Sequence, residues 1–293
     1  MSLSDPKSKV LLQLDPDEHA SVFDSVVAID SGVDHLLRHH SVKESDVEDL
    51  VHGAIFTRGL EDLKRTAIFV GGSNVEVGER ILKKVISTFF GPLSVSVMLD
   101  SNGANTTAAA AVLSATRHRD LQGAKVVVLG GTGPVGRRIC VLAARQGANV
   151  MLGSRSQSRS ANAVDTIKLL DSNWNLTPFA TGDDAWLDEI KDADVLISAG
   201  AAGVELISKS QLEKFSQLRV AIDLNAVPPA GIEGVDVMAT GSNVNELVVY
   251  GAIGVGGLKM KIHKAALRKL FTQNNQVLDA NEIYDIGTGI VSK

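Results

Sequence analysis

The chain has 293 residues, 44% hydrophobic and 22% charged, with 29 basic against 34 acidic side chains and a net charge of −5. That balance excludes a disordered chain and a basic nucleic-acid surface, and no run approaches the ~18 apolar residues of a membrane span. A single cysteine, Cys140, excludes an internal disulfide, and the opening residues MSLSDPKSKV carry no apolar signal core, so a cytoplasmic protein is expected.

Strand-like apolar runs alternate with longer amphipathic segments. Residues 10–14 read as a strand and 22–29 as a helix. Residues 66–70 (TAIFV) are β-branched and aromatic and are stopped by Gly71-Gly72, and 75–89 have helical spacing. A strand over 95–99 ends at Asp100, followed by a turn at Asn102-Gly103 and an alanine-rich helix over 106–117. A second set begins near Leu121. It has strands at 125–129, 149–152, 194–198 and 220–224, and helices at 134–145, 161–170 and 185–191. The glycine-dense stretch 251–257 reads as a turn before a basic-faced helix over 258–271.

This alternation predicts an α/β fold of two α/β domains with a cleft between them, the second a Rossmann-like doubly wound parallel sheet. Residues 119–256 are expected to form that second domain and 1–118 with 257–293 the first. The boundary is placed near residues 118–123. The last helix is expected to cross back by means of Gly254, Gly256 and Gly257.

The strongest local motif is KVVVLGGTGPVGRRI, residues 125–139, in which Gly131, Gly133 and Gly136 have the G-x-G-x-x-G spacing between a strand and a helix. The glycines permit a tight turn, close approach of a pyrophosphate and close helix packing. Thr132, Pro134 and Val135 complete the turn, and Pro134 suits a first helical position, where its missing N–H costs nothing. The next strand ends Leu152-Gly153-Ser154-Arg155-Ser156, without the carboxylate that an NAD site usually carries about 20 residues on. Arg155 suits a 2′-phosphate instead, with Ser154, Ser156 and Arg159 as further donors, so the expected cofactor is NADP. Ala199 and Gly200 after one later strand, and Asn225 after the next, are expected to meet the nicotinamide end.

Segments spread along the whole chain resemble the methylene-tetrahydromethanopterin dehydrogenases of methylotrophs. They include SVFDSVVAIDSG (21–32), FFGPLSVSVMLDSNGANTTAAA (89–110), GGTGPVG (130–136), DLNAVPPAGIEGVD (223–236) and GAIGVGGLKMKIH (251–263). The resemblance implies oxidation of methylene-tetrahydromethanopterin, with methylene-tetrahydrofolate also used by some relatives, to the methenyl form with NADP. It also implies a pterin-binding first domain, a layout like that of folate methylene dehydrogenases, and a homo-oligomer. Hydride removal leaves an amidinium-like cation, so positioning and nearby carboxylates matter more than a general base. Asp24 and Asp100 are the candidate carboxylates, Ser101, Asn102 and Thr106 candidate pterin contacts, and Phe23 a candidate packing surface. Lys259 matches the family's active-site lysine; beside a forming cation it would have to bond the ring away from the bridge carbon.

The blander alternatives are a surface carboxylate at Asp24, a turn residue at Asp100 and a solvated basic face for Lys259 with Lys261, Lys264 and Arg268. His35, His39 and His40 have helical offsets, but no acidic or cysteine partner accompanies them and no metal is expected. Rival readings are a shikimate-type NADP dehydrogenase and an idle NADP sensor.

Overall fold

The computed structural model describes residues 7–182 and 186–292. The opening six residues, Ala185 of the helix expected over 185–191, and Lys293 lie outside them. In chain order the elements are β1 (Val10–Leu14), α1 (Val22–Asp30), β2 (His35–His39), α2 (Val47–Ile55), β3 (Thr66–Val70), α3 (Val75–Thr88), β4 (Ser96–Leu99) and α4 (Ala104–Thr116). Next come β5 (Lys125–Leu129), α5 (Pro134–Arg145), β6 (Asn149–Ser154), α6 (Gln157–Lys168), β7 (Leu176–Ala180), α7 (Trp186–Ile190), β8 (Val195–Ser198), α8 (Lys209–Leu212) and β9 (Val220–Asp223). The run ends with β10 (Thr240–Val244), β11 (Leu247–Tyr250), α9 (Ala252–Lys269), β12 (Val277–Leu278) and α10 (Ala280–Val291).

Two compact units result. One comprises the chain up to Thr106 together with Lys261–Ile286; the other comprises Thr107–Met260 and the segment from Gly287 onward. Helices α4, α9 and α10 are each divided between them, so the division falls inside helices, whereas a boundary near 118–123 was expected.

The first unit holds a parallel five-stranded sheet in the order β12-β4-β3-β1-β2. Its middle strands are apolar on both faces because helices cover both, and β3 and β4 are buried at every position. Helix α3 shows how the sequence builds the cover. Asn74 caps it by accepting the Val77 amide, and Val75, Ile81, Leu82 and Val85 form its buried stripe. Residues near the end of the chain finish this sheet. β12 pairs with β4, Ser96 Oγ donates to Gln273 O (2.9 Å), and Asn105 Nδ2 donates to Asp279 Oδ1 (2.8 Å).

The second unit holds seven strands in the order β10-β11-β9-β8-β5-β6-β7, parallel except for the β10–β11 hairpin. Read from β7, the order is the 3-2-1-4-5 series of the doubly wound fold, and it reverses between β5 and β8. The first unit has the related 2-1-3-4-5 order and reverses between β1 and β3.

Two sequence expectations are corrected. The glycines of 251–257 are not a turn: α9 begins at Ala252 and runs through them. They permit close approach to the backbone ahead of β10. A Cβ on Gly254 would stand 1.7 Å from the Ala239 carbonyl oxygen, and one on Gly251 2.1 Å from that of Asp236. Gly254→Ala is therefore expected to cost about 2 kcal/mol or more of stability, read by urea unfolding, because backbone and not a flexible side chain must move. A variant as stable as the wild type would show that α9 does not depend on this contact. The second correction concerns His35 and His39, which lie on edge strand β2 paired to β1, with His40 just beyond it; the spacing i, i+4 also repeats on one face of a strand.

Candidate active site

In the second unit the glycine turn follows β5 and the Ala199-Gly200 loop follows β8, so the two flank the reversal point, where ligands of open α/β sheets bind. The turn is tight for a visible reason. Gly130 has φ +71°, and a Cβ there would lie 2.7 Å from Gly200 Cα; a Cβ on Gly136 would lie 2.5 Å from Gly130 O. Gly131 packs on Leu152, and Gly133 precedes Pro134 at the first turn of α5, a helix N-terminus whose first amides have no intrahelical acceptor.

A cavity of about 240 Å³ opens beside this turn. Gly130, Thr132 and Gly133 line one wall, Ser154, Arg155, Ser156 and Arg159 another, and Ala199 and Gly200 a third. Thr181, Val204 and Leu206 also line it, and the sequence did not single them out. Strand β6 runs two residues further than expected because Gly153 and Ser154 pair with Phe179 and Ala180 of β7. Ser154 is thereby held at the strand end, and Ser156 caps α6. The exposed Arg155 and Arg159 guanidinium groups have no carboxylate partner among the described residues.

Gly131, Pro134, Val135 and Gly136 shape the turn without lining the cavity. Asn225 is also outside it. Its Nδ2 donates to Pro229 O, and its Oδ1 accepts the Gly203 and Val227 amides at 3.3 and 3.0 Å, so this side chain braces its loop. Asp223 shares that task, accepting the Gly231 and Ile232 amides. Cys140 is buried, and burial pushes its thiol far above the ordinary range, which makes it inert.

In the first unit, carboxylates converge where the strand order reverses. Asp15 follows β1 and is buried; its oxygens accept the Asp17 and Ser21 amides and so fix the start of α1. Asp24 lies in the first turn of α1. A Cβ built on Gly71, just after β3, would be 3.5 Å from a carboxylate oxygen of each, so the two acids face the same glycine. Asp100 is buried at the end of β4. Its Oδ1 accepts the Thr106 amide, and its Oδ2 accepts the Thr106 hydroxyl and lies 3.8 Å from Nδ1 of His263. The His263 ring stacks on Phe69 (5.7 Å between centroids) and lies 6.4 Å from Phe23, which is 53% exposed.

The remaining expected contacts divide by role. Ser101 is buried and donates to Gly71 O (2.6 Å), while Thr106 is committed to Asp100. Asn102 is exposed and left-handed (φ +53°), its amide donating to Gly72 O. Lys259 is half-buried, one turn before His263 on the same face of α9, and Lys264 of the expected basic face is paired with Asp30. Asp15 and His263 escaped the sequence reading. The signals were present: Asp15 ends a strand as Asp100 does, and His263 stands four residues after Lys259.

Burial holds the Asp24 carboxyl above its ordinary value; Asp100 and Asp15 push it further up, while His263 and Ser21 pull it down. In the unfolded chain this acid ionises at a lower pH than in the fold. Its contribution to stability is therefore complete below the ordinary carboxylate value and is lost as pH rises through the folded value. Asp24→Asn is accordingly expected to gain stability relative to the wild type as pH rises from the acid range to neutrality. Thermal unfolding across pH checks this; a gap that does not change with pH would disprove it.

These features define a doubly wound dehydrogenase-type fold with a glycine turn at its reversal point. A quinate dehydrogenase from Corynebacterium glutamicum, solved with NAD, shares that fold at a TM-score of 0.52 and 11% identity, covering 98% of this chain and 99% of that one. Residues 22–102 match the family described as methylene-tetrahydromethanopterin dehydrogenase, N-terminal. Two proteins of Methylorubrum extorquens match along nearly their whole length. The "Bifunctional protein MdtA" is 42% identical over 95% of this chain and 97% of its own. The "NAD(P)-dependent methylenetetrahydromethanopterin dehydrogenase" is 35% identical over 96% and 98%. The chain belongs to the methylene-tetrahydromethanopterin dehydrogenase family.

Proposed function

We propose that this protein is an NADP-dependent oxidoreductase that removes a hydride from the one-carbon bridge of methylene-tetrahydromethanopterin, giving the methenyl form. Methylene-tetrahydrofolate is a further candidate substrate. The observation that carries the reading is the near-full-length similarity to a relative named for this reaction. The unit built on the β1–β4 sheet is assigned to the pterin and the unit built on the β5–β11 sheet to NADP. A homo-oligomer in the cytoplasm is part of the same reading.

The cavity beside the glycine turn fits NADP by its chemistry. It offers free amides at the start of α5, a backbone that only glycine permits, and two arginines for a 2′-phosphate. Bound there, NADP supplies the hydride acceptor. The chain's own work is positioning and electrostatics. Asp24 and Asp100 supply negative charge that favours the cation forming between the two pterin nitrogens. Phe23 offers an exposed aromatic face for the ring, and Ser101 and Thr106 hold the carboxylate loop in shape. Lys259 bonds the pterin away from the bridge carbon, and no proton need move in the hydride step.

Initial rates with both methylene pterins crossed with NADP and NAD test this. Methylene-tetrahydromethanopterin with NADP is expected to give reduction. Binding of NADP without reduction by either pterin would favour the sensor reading, and reduction with shikimate would favour the other rival.

A further inference from the structure

We propose that His263 is a positioning residue for this reaction, setting through Asp100 and Asp24 the negative charge presented to the pterin. The inference deepens the proposed function and rests on it.

The geometry is specific. His263 is 1% exposed on α9, stacked on Phe69 and 3.8 Å from an Asp100 oxygen. Three carboxylates gather at this strand-order reversal: Asp15 after β1, Asp24 on α1 and Asp100 after β4. Asp15 is occupied by two loop amides and Asp100 by Thr106. Asp24 is the member of the three that is only half-buried, and it stands beside the exposed Phe23. The titratable groups acting on Asp24 are thus Asp15 and Asp100, which disfavour its ionised form, and His263, which favours it; on its own element the Ser21 hydroxyl also favours it.

The consequence for catalysis follows from charge. Ionised Asp24 stabilises a cation on the bridge carbon, and neutral Asp24 does not. Turnover at low substrate should therefore fall on the acid side as Asp24 takes up a proton, and His263 should keep that fall at lower pH than the two neighbouring acids would allow. A histidine that merely filled space under Phe69 would not move the profile.

The test is kcat/KM for methylene-tetrahydromethanopterin against pH, which reports free-enzyme ionisations. It is measured for the wild type, His263→Gln and Asp24→Asn, with NADP binding measured alongside. His263→Gln is expected to move the acid limb up by about one pH unit with NADP affinity unchanged. Asp24→Asn is expected to abolish the limb. A folded His263→Gln protein whose limb stays in place overturns the proposal, as does an Asp24→Asn protein that keeps the limb. If His263→Gln fails to fold, NMR titration of the His263 imidazole in the wild type and in Asp24→Asn decides: a midpoint that differs between the two supports the coupling, and one that does not overturns the proposal. A wild type inactive with both pterins at every pH overturns the functional reading and this inference with it, whereas an active wild type with an unmoved limb overturns this inference only.

Discussion

Lys259→Ala is expected to lower kcat by about a hundredfold while leaving the Kd for NADP within about twofold of the wild type. Four basic residues crowd this stretch of α9, and the fold separates their roles. Lys261 and Arg268 are exposed, and Lys264 is paired with Asp30 at 2.8 Å. Lys259 alone of the four combines partial burial with a place on the face of His263, one turn away. On the proposed function Lys259 donates to the pterin ring and so orients the substrate, and small losses of orientation cost large factors in rate. The cavity proposed for NADP is lined by the turn after β5 and by the β6 end, and Lys259 is not among its lining residues. Stopped-flow or steady-state rates with fluorescence titration of NADP separate the two effects. Undiminished kcat would remove Lys259 from the site, and a loss confined to NADP affinity would reassign it to the cofactor.

Arg155→Glu is expected to raise the KM for NADP by about a hundredfold and to leave that for NAD within about threefold. A hydrogen bond between ionised groups contributes roughly 1.5–3 kcal/mol, and reversing the charge adds repulsion of the 2′-phosphate. The position is suited to the effect: Arg155 stands at the end of β6 on the cavity wall, with no carboxylate to neutralise it among the described residues. The new carboxylate would also stand where NAD sites place an acid for the ribose hydroxyls. Equal changes for the two cofactors would show that Arg155 does not read the phosphate.

Strands buried on both faces were legible because their apolar runs are continuous, as in residues 66–70 and 125–129. The elements that escaped lack that signal. Strand β7 carries Pro178, tolerated because β7 is a sheet edge. Strand β2 is a half-exposed edge with three charged or titratable residues among its five. The glycines opening α9 argue for a turn by conformational preference, and tertiary contact with the Ala239 backbone outweighs it. The glycine turn and its following arginine were readable because their spacing is local. Asp15 and Asp24 share the β1–α1 stretch, but Asp100 and His263 come from two others, and only the fold brings the three stretches together.

The first unit is interrupted by the second, and this bears on the order in which a ribosome releases the parts. Residues 107–260 form most of their unit as one continuous stretch, so that sheet has all its strands while translation continues. The earlier-made sheet must wait, lacking β12 on its open edge and lacking the imidazole that partners Asp100. During that interval β4 is an unpaired edge of apolar strand, a site where nascent chains can associate wrongly. Residues 261–286 thus end the vulnerable period, and a chain stalled before them should hold its second sheet folded and its first unfinished.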